Sequence, residues 1–108
     1  LPVMLDHVNN NKLKLEQLIN LICENPVKIF GIKNKGYLKE NYDADITIVD
    51  LNKSIKIKNE DIQSKCGWSP FHGYSFKGSP IATIINGKIK MLNGKIIGQP
   101  EGQPLDFN

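Results

Sequence analysis

Cys66, Trp68 and His72 fall within seven positions of the stretch "KCGWSPFHGY", residues 65–74, with Ser69 between them. A thiol or hydroxyl beside an imidazole is the raw material of nucleophilic catalysis, because the ring can take the proton as the sulfur or oxygen attacks. A reactive thiolate also needs an electropositive, partly exposed setting, and Lys65 is the one cation at hand. A second reading competes. Pro70 fixes its own φ and pushes Ser69 towards an extended shape. Gly67 and Gly73 permit sharp turns on either side. Trp68, Phe71, Tyr74 and Phe76 can each bury a large apolar area. The balance favours a loop that folds back as an aromatic plug over a Cys66–His72 reactive pair.

Metal chemistry has still less to work with. His7 and His72 lie about 65 residues apart, and the chain holds no HxH, no HExxH and no CxxC. Asp43 and Asp45 of "DAD" are spaced like paired carboxylates, but short acids at a strand entrance more often bond backbone in turns. No GxGxxG or GxxxxGK[ST] cradle for phosphate occurs. No catalytic, cofactor-binding or metal-ligating residue is therefore assigned within residues 1–108.

Composition narrows the partners. The chain is 40% hydrophobic, with a net charge of +3, and all fourteen of its basic residues are lysines. Arginine forks are the usual tool for reading phosphate and bases, so nucleic-acid binding is not expected. The longest apolar runs are about five residues, far short of a membrane span. With no leader-like segment, the expectation is a cytoplasmic protein in which Cys23 and Cys66 are reduced thiols. A start at Leu1 rather than methionine is read as a sign of a longer parent.

The elements that must position these residues come in the order helix, then strand. Leu1, Met4, Leu5 and Val8 keep helical spacing, which predicts a helix over 1–10. Leu15, Leu18, Ile19 and Ile22 predict a second over 14–24, weakly started by Lys14. Asn25 as cap, Pro26 in the first turn and Gly31 at the end predict a short third helix over 26–30. "DADITIVD" predicts a strand over 45–50 and "SIKIK" another with one wet face. "NEDIQS" reads as a single helical turn. Asn86-Gly87 and Asn93-Gly94, seven residues apart, are type I′ turn pairs. They predict a three-stranded meander at 81–85, 88–92 and 95–97, dry on the Ile89/Met91 face. Leu105 and Phe107 are expected to anchor the tail. The fold class is α+β.

"ENPVKIFGI" followed by "KGYLKENYDADITIVD" resembles the C-terminal region of cyclic amidohydrolases. "GWSPFHG", "GSPIATIINGKI" and the ending "GQPEGQPLDF" resemble the dihydroorotase version of it. The family's usual Ala after Asn-Pro is Val27 here, and Asn41-Tyr42 stand where Gly is usual. The resemblance implies the last helices of a (β/α)8 barrel over 1–36, then the C-terminal part of a small β-sandwich domain over 37–108. It implies a parent that interconverts N-carbamoyl-L-aspartate and dihydroorotate in pyrimidine biosynthesis. Zinc in that parent would be held by residues before Leu1, so these 108 residues alone are expected to bind no metal and to be inactive. Allantoinase or dihydropyrimidinase is the nearest alternative. A non-catalytic scaffold partnering aspartate transcarbamoylase is another. An open sheet edge and the stripe Leu1, Met4, Leu5, Val8, without its barrel wall, are expected to drive self-association.

Overall fold

The computed structural model describes all residues, 1–108. It combines a helical N-terminal third with a single antiparallel sheet, so the α+β expectation holds. Helix α1, Pro2–Asn9, starts with proline in its first turn. Its missing N–H costs nothing there, and its φ is already helical. Helix α2, Leu15–Ile19, and helix α3, Asn25–Phe30, are joined by a π-helical turn, Asn20–Glu24.

That junction corrects the expected break at Asn25. Asn25 does not cap a new helix: its φ of −63° and ψ of −44° are helical, and its N–H reaches back to Asn20. Pro26 explains the wide turn. A proline inside a helix has no N–H to donate, and its ring collides with the carbonyl four residues earlier. Widening the preceding turn relieves that collision and keeps the rod continuous. Gly31 ends the rod as expected, with φ +63°, and the Ile32 N–H donates to the Val27 carbonyl. The weak start at Lys14 is also mended, because the Gln17 side chain accepts the Lys14 N–H at 3.0 Å.

The sheet runs in the order β1 (Ile46–Lys56), β2 (Ser75–Ile85), β3 (Lys88–Leu92) and β4 (Lys95–Ile96). Both Asn-Gly pairs form the expected turns, with φ +49° and +77° at Asn86-Gly87 and +48° and +81° at Asn93-Gly94. Two differences matter. The expected strands at 45–50 and "SIKIK" are one strand, interrupted in pairing between Asp50 and Ser54. Strand β2 begins six residues earlier than the meander alone predicts, at Ser75 rather than 81. Pro80 lies inside it, at the register shift between Ile48 and Val49, where a missing donor breaks no regular ladder bond. "NEDIQS" supplies a 3₁₀ turn at Asn59–Asp61.

Helix α1 lies on β2, and Gly78 permits the approach. A Cβ built at Gly78 would stand 2.5 Å from that of Leu5, and its φ is +112°. Leu5 is consequently buried, which corrects the expected exposure of the whole α1 stripe. Polar bonds complete the dock. The Asp6 carboxylate accepts the Lys77 N–H at 2.8 Å. The Asn9 amide donates to the carbonyls of Leu51 at 2.9 Å and Lys77 at 2.7 Å. The wholly buried side chains of the chain are few: Leu5, Leu18, Ser79 and Ala82.

Candidate functional site

Residues 65–74 lie at the tip of the β1–β2 hairpin. Its base is closed by the Ile57 N–H on the Tyr74 carbonyl, 2.9 Å, and the Gly73 N–H on the Ile57 carbonyl, 2.8 Å. Within it, His72 and Cys66 make separate hydrogen bonds. His72 Nδ1 accepts the Asn59 N–H at 3.0 Å, so that lone pair already has a donor. Cys66 Sγ sits 3.0 Å from the Ser64 hydroxyl. That hydrogen bond holds its thiol below the ordinary range, which favours the thiolate, and the residue is exposed. Ser69 Oγ accepts the Phe71 N–H at 3.1 Å, while the Ser69 N–H donates to the Asn59 side chain. Both bonds shape the turn.

The aromatic residues cluster with one another. Phe71 packs edge-on to Phe76 at 5.7 Å between centroids, and Tyr74 stacks on Phe76 at 6.3 Å. Trp68 and Tyr74 remain about 60% exposed. Beside the hairpin neck lies a shallow cavity of about 420 Å³ bordered by Lys58, Glu60, Asp61 and His72.

Asp43 and Asp45 act at longer range than the local turn bonds expected of them. Lys35 Nζ lies 2.9 Å from Asp43 and 2.5 Å from Asp45, bridging both carboxylates. The other Asp45 oxygen accepts the Asn86 N–H at 2.9 Å, tying the entrance of β1 to the β2–β3 turn. The Lys35 ammonium, and then the Asn86 N–H, hold the Asp45 carboxyl below its ordinary value. Nothing in the local spacing of "DAD" signals the Asn86 partner, which is 41 positions away. No group of three or more His, Cys, Asp or Glu side chains comes together in a way that could hold a metal ion. His7 Nδ1 is buried without a hydrogen-bond partner, and His7 belongs to no group of three or more such side chains. No helix is long and apolar enough to cross a membrane.

A helix-then-antiparallel-sheet chain with these motifs is a piece of a recognisable architecture. The amidohydrolase family model matches residues 2–90, and the chain belongs to that family. It is 42% identical over 104 residues to the dihydroorotase of Pyrococcus furiosus, covering 96% of this chain and 25% of that one. It is 44% identical over 89 residues to the dihydroorotase of Methanosphaera stadtmanae, covering 82% and 21%. Among solved structures it resembles the L-hydantoinase (dihydropyrimidinase) from Arthrobacter aurescens, with a TM-score of 0.87 and 36% identity over 92% of this chain and 22% of that one. The chain thus spans about a quarter of the length of the curated relatives it matches.

Proposed function

We propose that these residues are the C-terminal part of a metal-dependent dihydroorotase, which interconverts N-carbamoyl-L-aspartate and dihydroorotate in pyrimidine biosynthesis. The carrying observation is the 42% identity to a dihydroorotase along nearly the whole chain. In this reading residues 1–36 are terminal helices of the barrel, and 37–108 are the C-terminal share of a small β-sandwich domain. Three observations support a metal held elsewhere: Lys35 bridges Asp43 and Asp45, the Asn59 N–H occupies His72 Nδ1, and no three His, Cys, Asp or Glu side chains converge. A zinc ion would therefore be held by other residues of the parent. The contribution of this part is structural, fixing helix, sheet and hairpin relative to one another. Small-molecule substrate, cytoplasmic location and any aspartate transcarbamoylase partnership belong to the parent.

The likeness to an L-hydantoinase favours a second reading, a parent that opens a related cyclic amide. The test is the full-length protein with zinc, assayed on dihydroorotate, hydantoin and dihydrouracil. Turnover of dihydroorotate with little on the others is expected. Preference for hydantoin or dihydrouracil would replace the first reading with the second, and no turnover of any would leave a non-catalytic parent.

A further inference from the structure

We propose that residues 99–108 form a detachable strap, clipped by main chain at the exit of α3 and latched by ions to β3. The clip is short. The Lys33 N–H donates to the Asp106 carbonyl at 2.9 Å, and the Asn108 N–H donates to the Gly31 carbonyl at 2.7 Å. Ile32 and Phe107 form the bridge between them.

The latch is Glu101. It bonds Lys88 at 2.9 Å and also pairs with Lys90, whose ammonium donates to the Gln99 carbonyl at 3.0 Å. Between latch and clip the strap does not pack on the sheet. It arches over a cavity of about 450 Å³ bounded by the β2–β3 turn and Pro100–Gln103. Leu105 and Phe107, expected to anchor it, are only about half buried, at 43% and 53% exposed.

A segment with little buried apolar surface and few backbone bonds opens locally, without the rest of the fold. Exposed ion pairs are weak, and salt screens them: the Debye length is about 3 Å at 1 M. Salt, or an anion competing for Lys88 and Lys90, therefore releases the latch and loosens the clip, which begins five residues on, about 17 Å of chain at full stretch.

The test is amide hydrogen exchange in the full-length protein, wild type and Glu101→Gln, at low sodium chloride and at 1 M. Exchange at Lys33 and Asn108 is expected to rise roughly threefold or more in the variant. Salt should do the same in the wild type and add little in the variant. Ile57 and Gly73, which donate to the Tyr74 and Ile57 carbonyls at the neck of the β1–β2 hairpin, are the controls and should not change. Unchanged exchange at Lys33 in the variant overturns the latch. An equal rise at the control amides overturns the strap as an independent unit, and unprotected clip amides in the wild type overturn the clip.

Discussion

Asp45, at the entrance of β1, gathers partners from distant parts of the chain. Its two oxygens hold Lys35 and the Asn86 N–H. Its carboxyl lies below the ordinary 3.8, with Lys35 the largest cause. A carboxyl lowered by folding stabilises the fold above its unfolded value and stops doing so as pH falls through the folded one. Lys35 is raised above 10.5, chiefly by Asp45, so its share is complete below that value and lost as pH rises through the raised one. The pair therefore supports the fold between about pH 4 and about pH 10. Asp45→Asn is expected to lower the urea midpoint at neutral pH and to flatten the acid limb of midpoint against pH; parallel limbs in variant and wild type would refute this. Gly78 is the other decisive residue. Gly78→Ala forces a methyl into Leu5 and an L side chain into φ +112°. The expected cost is about 2–4 kcal/mol, read as a loss of urea stability in the full-length protein.

Among elements, the docking of α1 on the sheet depends on Asn9 as well as on the packing of Leu5 over Gly78. The Asn9 amide reaches main-chain carbonyls on both β1 and β2. Asn9→Ala leaves those carbonyls to find water or go unpaired, at a cost of about 1–3 kcal/mol. Exchange at the Lys77 amide, held by Asp6, should rise with it, and an unchanged rate there would show that α1 docks without Asn9. The elements differ in how plainly the sequence announces them, for physical reasons. Asn-Gly turns are local: two residues set the backbone, and the meander follows from them. Gly31 is equally local. The π-helical turn was not legible, because "ENP" reads equally as a cap followed by a new helix, and the choice rests on whether the rod upstream continues. The early start of β2 was hidden by Gly78 and Pro80, which lower strand propensity yet are explained by the helix above one and the register shift beside the other. Faces were the least legible. Ile89 and Met91 mark a dry face on β3, yet Ile89 is 48% exposed, while the Lys90 side chain, under the strap, is only 15% exposed. Alternation states which face is apolar, and only a covering layer makes it dry.

At the scale of the molecule, that missing layer becomes a prediction. Five residues of 108 are buried, and large apolar side chains stand open on the rod and just beyond it. Leu21, Ile22, Ile29, Phe30 and Leu38 are between 51% and 83% exposed. Covering a fully exposed side chain of this kind is worth about 1.5–3 kcal/mol, so five that are at least half open offer roughly 5–10 kcal/mol. That is on the order of a domain's whole stability and of the cost of bringing two chains together. Strand β1 adds an edge with no partner on its outer side, a template for another strand. A polypeptide of residues 1–108 is therefore expected to self-associate at micromolar concentration, sedimenting well above its 12.1 kDa. Ile29→Lys with Phe30→Glu should shift it towards monomer if the rod is the contact. If the double variant associates as strongly as the wild type, the β1 edge is the contact instead, and Thr47→Pro, which removes a strand donor, should then disperse it. A wild-type chain that stays a compact monomer at high concentration would mean that these side chains close over one another in solution, and the case for a missing covering layer would fail with it.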